Sequence, residues 1–264
     1  MEVILITGAT SGIGEALAYR LAKKKRNLLL VARNEQKLKQ QCEQLSNQNG
    51  ITASYIVADL SKPETAYYVF EEAKKRNLSV NVLVNNAGIG SSGEFVNNNL
   101  QSELEMLQLN NSSLVALCHL FLPEMKNNKN GTIINVGSMA SFFPSPYMSV
   151  YAASKMFVRS FTQALTEECK PYGVNVMLFC PGFTSSNFMN TAANNNEWGK
   201  ILVKGAYTQT PEQVAAEMIK ALEKKKTFHV SGFQNAMLAK IGSLIPYSTI
   251  TSVFAQRKRK EMGL

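Results

Sequence analysis

Three groups of residues in this sequence have types and spacings suited to chemistry. The first is Thr7-Gly8-Ala9-Thr10-Ser11-Gly12-Ile13-Gly14, which ends an apolar run and leads into a helix-period segment. Glycines at such a turn let the backbone approach a pyrophosphate and pack helix against strand, and the helix N-terminus then holds the anion. The spacing is G-x-x-x-G-x-G, not G-x-G-x-x-G, so position more than pattern carries this reading. The second is Ala32-Arg33, about 20 residues further on, where an acidic residue would take ribose hydroxyls and an arginine suits a 2′-phosphate. Here Ala32 stands in the acidic position and the Arg33 guanidinium can meet a phosphate with two parallel hydrogen bonds. The third is Tyr151 and Lys155, which on a helix share one face, one turn apart, with Ser138 upstream. Taken alone, that pair is equally an exposed helical pair and Ser138 a turn residue.

These groups need elements to position them. Val3–Thr7, Asn27–Ala32, Ala53–Ala58, Asn81–Val84, Thr132–Val136 and Val174–Phe179 read as strands, and Lys226–Val230 as a seventh. Most are continuous apolar runs, as parallel strands covered on both faces require. Helices are expected over Gly12–Lys25, Glu35–Ser46, Lys62–Arg76, Leu100–Lys126 and Val150–Lys170. A further helix opens at Thr210-Pro211-Glu212-Gln213, a capping box with proline in the first turn. This alternation predicts an α/β fold, an open doubly wound parallel sheet of about seven strands with helices on both faces. No linker or repeat divides the chain, so a single domain is expected.

Composition narrows the function classes. With 264 residues and 45% hydrophobic content, the chain can bury a sizeable core. Its charge of +9 comes largely from four basic runs: Lys23–Arg26, Lys74–Arg76, Lys224–Lys226 and Arg257–Lys260. The first three fall where helices should end, where cations complement the helix dipole. No basic face with interleaved aromatics points to nucleic acid. Cys42, Cys118, Cys169 and Cys180 are scattered without a C-x-x-C pair, so no metal site and no disulfide scaffold is expected. They read as small buried hydrophobes. His119 reads as a core or interface residue, and His229 as a strand residue without a partner. The first residues do not form a secretory signal, and no apolar run reaches the length of a membrane span. A cytoplasmic location is the default expectation, with membrane association of the tail as the open alternative.

In chain order, the glycine loop, Asn86-Ala87-Gly88, Asn110, Ser138 and Tyr-x-x-x-Lys closely resemble the short-chain dehydrogenase/reductase family, over about residues 3 to 184 plus the strand near Val230. The resemblance implies a Rossmann-type fold and a nicotinamide cofactor, NADP(H) given Arg33. Its cofactor residues would be Gly8, Thr10, Ser11, Gly12, Ile13, Gly14, Arg33, Asp59, Leu60, Asn86, Ala87, Gly88, Tyr151, Lys155, Pro181, Gly182, Phe183 and Thr184. Asp59-Leu60 would border the adenine, and Pro181 to Thr184 the nicotinamide. Asn110, Ser138, Tyr151 and Lys155 match the family's catalytic tetrad.

The implied reaction is ketone reduction, or alcohol oxidation in reverse. Tyr151 would exchange the proton, its pKa lowered by the Lys155 ammonium and the cationic nicotinamide. Lys155 would also hold ribose hydroxyls, and Ser138 would stabilise charge on the substrate oxygen. Asn110 would bend its helix and position a water joining Lys155 to solvent. Two other readings remain: an NAD-dependent alcohol dehydrogenase of the same fold, and a non-catalytic nucleotide-sensing or scaffold protein.

Substrate choice in the family depends on two segments. One is Ser185-Ser186-Asn187-Phe188-Met189 onward through Trp198 to Thr210, with a loop around Asn195 and Asn196. The other holds Met139, Phe142, Phe143, Pro144, Tyr147 and Met148. Together they suit an apolar wall around a hydrophobic ketone, aldehyde or alcohol, such as a 3-oxoacyl, steroid-like or other lipid carbonyl. Ordinary loop packing is the competing account. Residues 1–232 form the expected catalytic domain, and 233–264 an amphipathic basic extension. Such tails in similar reductases cover the substrate entrance or lie on a membrane surface. The family's use of the helices Leu100–Lys126 and Val150–Lys170 as subunit interfaces implies a homodimer or homotetramer.

Overall fold

The computed structural model describes residues 1–185, 208–242 and 244–262. The stretch 186–207, to which most of the first substrate segment and the Asn195–Asn196 loop belong, lies outside the described residues. Nine strands are present among them: β1 Glu2–Thr7, β2 Leu28–Ala32, β3 Ala53–Val57, β4 Ser79–Asn85, β5 Gly131–Val136, β6 Val174–Cys180, β7 Phe183–Thr184, β8 Thr208–Gln209 and β9 Phe228–Val230. The helices are α1 Gly12–Lys23, α2 Glu35–Asn49, α3 Thr65–Lys75, α4 Leu100–Leu107, α5 Ser113–Asn127, α6 Ser149–Cys169, α7 Pro211–Glu223, α8 Phe233–Gly242 and α9 Tyr247–Met262.

Seven strands form one parallel sheet in the order β3-β2-β1-β4-β5-β6-β9. The apolar runs follow from burial on both faces. Along β1, Val3 and Leu5 pack into the layer of α3, α5 and α6, whereas Ile4 and Ile6 pack into that of α1, α2 and α7. The chain order reverses at β1, which lies between β2 and β4, so the loops after β1 and β4 flank the switch-point crevice where ligands of such sheets bind.

Several expectations are met in detail. Thr210 caps α7 with Gln213 reaching back, and Lys24, Arg76 and Lys224 are the C-caps of α1, α3 and α7. All four cysteines are free and buried. Others need correction. Leu100–Lys126 is not one regular helix, because a π-helical stretch at Gln108–Ser112 separates α4 from α5. That wide turn carries Asn110 inward, where its side chain bonds other segments. His119 is exposed, so it is not a core residue. His229 does have a partner: its Nε2 lies 3.1 Å from Glu217 on α7, which packs beside the end of β9. Burial pushes the Glu217 carboxyl up. Hydrogen bonds from Gly232, His229, Gln209 and Ser231 outweigh that and hold it below the ordinary carboxylate range. The fourth basic run falls late in α9, with Arg259 and Lys260 in its last turn.

The short parallel pair β7–β8 has no counterpart in the sequence reading. Beyond Gly232, at φ 82°, α8 and α9 fold back over the C-terminal edge of the sheet. Ala239 and Ile250 are buried there, and Phe254 stacks on Phe143 with ring centroids 5.5 Å apart.

Candidate active site

The glycine loop is shaped by close approaches that exclude side chains. Gly8 has φ 65°, and a Cβ there would lie 3.0 Å from Ala87 Cα. Gly12 has φ 54°, a conformation that L side chains rarely adopt. At Gly14 a Cβ would collide with Gly8 O, so this glycine lets α1 pack against the end of β1. Thr7 ties this loop to the one after β4. Its Oγ1 accepts from Asn86 N at 3.0 Å and Ala87 N at 2.9 Å, while donating to Val84 O. The Asn86 side chain closes the junction by donating to Thr7 O at 2.9 Å.

At the far end of β2, Arg33 is exposed and faces Asp59. Burial pushes the Asp59 carboxyl up, but two hydrogen bonds from Ser61 and the charges of Arg33 and Lys62 bring it below its usual value. Ala32 itself carries no carboxylate, and the one that faces Arg33 is that of Asp59.

The Asn-Ser-Tyr-Lys set converges from three elements. Ser138 follows β5 and caps a short 3-10 turn, Met139–Ser141, with its Oγ accepting from Ala140 N at 3.2 Å and its own N–H bonded to Ser141 Oγ. Tyr151 and Lys155 stand one turn apart on α6, both buried. The Ser138 hydroxyl lies beside the Tyr151 phenol and favours its ionised form. The Lys155 ammonium donates to Val136 O at 3.0 Å. Asn110 accepts from Ile89 N at 3.0 Å and donates to Ile89 O and Ser154 Oγ, which fixes the loop after β4 against α6. Gly88 leaves room between them: a Cβ there would lie 3.1 Å from Asn110 Oδ1 and 3.5 Å from Lys155 Nζ.

In the chain alone, burial dominates the ionisation of this pair. It pushes the Tyr151 phenol up to about 12, with Ser138 acting in the opposite direction. Burial also brings the Lys155 ammonium down to about 8, partly countered by Cys180.

One cavity of about 930 Å³ unites these parts. Of the cofactor and tetrad residues that the family resemblance implies, all line it except Gly14 and Asn110, which stand behind its wall. Gly14 packs helix on strand, and Asn110 braces the loop after β4. From the second substrate segment, Met139, Phe143 and Met148 line the cavity, whereas Phe142 is buried beneath Arg159 at 4.6 Å. Pro144 and Tyr147 are not on the wall.

Some residues at this site escape a sequence reading. Cys180 is buried beside Ser138 and Ser141, its thiol pushed up to about 12 by burial against the lowering influence of those two residues. Asn235 is buried so close to Gly182 that a Cβ at 182 would collide with its amide. Leu238, Ile241, Ile250 and Phe254 close one side of the cavity. The only sequence signal for these is the apolar content of the tail.

The family model described as short chain dehydrogenase matches residues 2–198. Dehydrogenase/reductase SDR family member 7B of Danio rerio is 30% identical over 271 residues, spanning 99% of this chain and 87% of the relative. The 17-beta-hydroxysteroid dehydrogenase type 3 of Homo sapiens is 33% identical over 197 residues, 73% of this chain and 62% of the relative. Among solved structures, the short-chain dehydrogenase from Sphingobium yanoikuyae in complex with NADPH superposes with a TM-score of 0.81 at 27% identity, covering 88% of this chain and 89% of that one.

Proposed function

The chain belongs to the short-chain dehydrogenase family, and from that premise we propose that it is an NADPH-dependent reductase of a hydrophobic ketone or aldehyde. The observation that carries this reading is the Tyr151–Ser138 hydroxyl pair on the wall of the same cavity that the glycine loop closes at its other end.

The residues present fit a dinucleotide. Gly8, Gly12 and the N-terminus of α1 form a cradle for the pyrophosphate, with Gly8 packed too closely on Asn86 and Ala87 to bear a side chain. Asp59 and Leu60 border the adenine end, and Arg33 meets the 2′-phosphate that distinguishes NADP from NAD. Asn86, Ala87 and Gly88, with Pro181 to Thr184, line the reacting half, and Lys155 holds ribose hydroxyls. When bound, the nicotinamide supplies or accepts the hydride.

The protein's share is the proton and the charge. The Tyr151 phenol, protonated at neutral pH, would give its proton to a carbonyl oxygen in reduction and take it back in oxidation. Ser138 Oγ accepts from Ala140 N, so its own hydrogen is directed to Tyr151 or the substrate oxygen. Lys155 stays protonated at neutral pH and stands one helical turn from Tyr151, a cation for the phenolate left behind. Met139, Phe143 and Met148 with the α8–α9 side chains give the substrate an apolar wall, in keeping with a relative named for hydroxysteroids. Exposed Leu100, Leu104 and Phe157 offer a face for a second copy, consistent with a dimer or tetramer.

The test is nicotinamide oxidation in the presence of a graded panel of hydrophobic ketones. Turnover by the wild type and its loss in Tyr151→Phe, with NADPH binding kept, is the expected result. Binding without turnover across the panel would favour a nucleotide-sensing protein instead.

A further inference from the structure

We propose that Glu217 and Gln209 are positioning residues for the substrate side of the cavity, fixing the root of α8 through a bracket of hydrogen bonds. Their effect on ketone selectivity rests on the function proposed above; the anchoring of α8 does not.

The bracket joins segments that lie apart in the chain. Gln209 on β8 donates from Nε2 to Glu217 Oε1 on α7 at 2.8 Å, and its own Oε1 accepts from Ser231 Oγ at 2.9 Å. Glu217 Oε2 accepts from the Gly232 N–H at 3.0 Å and lies 3.1 Å from His229 Nε2. Ser231 O accepts in turn from the side-chain amide of Asn235, in the first turn of α8, at 2.8 Å. Gln209, Ser231 and Asn235 are 3%, 0% and 5% exposed. Polar side chains buried so deeply require partners, and here each supplies the next. Gly232 turns the chain into α8 at φ 82°, and a Cβ there would lie 3.0 Å from both Gln209 Oε1 and Asn235 Nδ2. The direction in which α8 departs is therefore set by Glu217 and Gln209.

That direction shapes the cavity. Asn235 packs against Gly182, and Leu238, on the same face one turn later, lines the apolar side, so a shift at Gly232 moves both. The segment Pro181 to Thr184 is held by other means. The Ser231 N–H donates to Cys180 O at 2.9 Å just before it, and the Ser185 N–H donates to Gln209 O at 3.0 Å just after it. Thr184 also pairs with Gln209 in the β7–β8 ladder. These bonds run between backbone atoms and use neither the Glu217 carboxylate nor the Gln209 amide. Loss of either side chain should thus free α8 while the cofactor segment stays in place.

The experiment compares the full-length wild type with Glu217→Gln and Gln209→Leu. The first keeps the size of the side chain but sets an amide against the donors that meet the carboxylate; the second removes the centre of the bracket. Glu217→Gln is the milder change and decides the matter if Gln209→Leu does not fold. Amide hydrogen exchange over α8 in the free chain should be roughly tenfold faster in each variant, and unchanged over β1, β4 and α1. KM for a bulky apolar ketone should rise about fivefold, while kcat and KM for a short water-soluble ketone, and NADPH affinity, stay within about twofold. Unmoved exchange over α8 overturns the proposal. Faster exchange throughout the chain, or an equal loss with both ketones, overturns it too, since either would mark a general effect on stability. Faster exchange confined to α8, in a chain whose wild type turns over no ketone, would uphold the anchoring and contradict the reductase assignment alone.

Discussion

Asn86 donates twice to Thr7, once from its backbone N–H to Oγ1 at 3.0 Å and once from its side-chain amide to the carbonyl oxygen at 2.9 Å. The ends of β1 and β4 are thereby joined, so the pyrophosphate cradle and the segment beside the reacting ring move as one piece. Thr7→Val keeps the shape but removes the acceptor of two partly buried N–H groups. It should cost about 1–3 kcal/mol of stability and weaken NADPH binding, both read by thermal melts with and without cofactor. Thr7→Ser should retain most of each. Equal melts for the valine and serine variants would refute the role of the hydroxyl.

Lys155 should leave a signature in pH dependence. Its folded pKa is brought from 10.5 down to about 8 by burial, so the folded chain carries fewer protons than the unfolded chain between those values. Stability contributed through this group therefore rises with pH from about 8 toward 10.5. Tyr151 acts oppositely: its pKa is raised from 10.0 to about 12, and its contribution falls across that window. Lys155→Met should thus gain most over wild type near pH 7, on the order of 3 kcal/mol at most, and the gain should shrink toward pH 10. Denaturant titrations of both proteins at several pH values check this. A gain independent of pH would contradict the burial of a charged Lys155.

Cofactor binding should follow the same group. If the ammonium holds ribose hydroxyls, NADPH affinity is flat below about pH 7 and declines through about pH 8 as Lys155 loses its proton. The decline should vanish in Lys155→Met, whose affinity is weaker throughout. Calorimetric titrations across pH decide the matter, and an identical profile in the variant would remove Lys155 from the cofactor site.

Phe254 tests the packing of the tail over the cavity. Its stacking on Phe143 holds α9 against the wall, so Phe254→Ala should raise KM for a bulky apolar ketone severalfold. NADPH affinity should be unaffected, since the glycine loop and Arg33 lie elsewhere. A shift in cofactor affinity with unchanged KM would show that α9 serves the nucleotide instead.

Much of this site was legible because its signals are local. Glycines with positive φ, a Tyr-x-x-x-Lys pair and a strand ending in Asn-Ala-Gly each sit in one short segment, and the buried strands announce themselves as apolar runs. The capping box at Thr210 and Gln213 is equally local. What could not be read depends on meetings distant in sequence. Asn235 looks like a polar interruption in an apolar helix until Gly182 is found against it. His229 appeared partnerless because Glu217 reaches it only once α7 has packed beside β9. The π-helical stretch at Gln108–Ser112 leaves the apolar pattern nearly intact, so a continuous helix was the natural expectation. The burial that raises Tyr151 in the chain alone is equally hidden, since a spacing of four places Lys155 nearby but says nothing of the packing around the pair or of Val136 O.

The most direct test of the central claim is a titration of NADPH and NADH against wild type and Arg33→Ala. The account predicts tighter NADPH binding by wild type, a loss of roughly tenfold or more in the variant, as suits a charged phosphate contact, and little change for NADH. Equal affinities in the wild type, or an NADPH affinity untouched by the substitution, would contradict it and direct the search toward NAD-dependent alcohol oxidation.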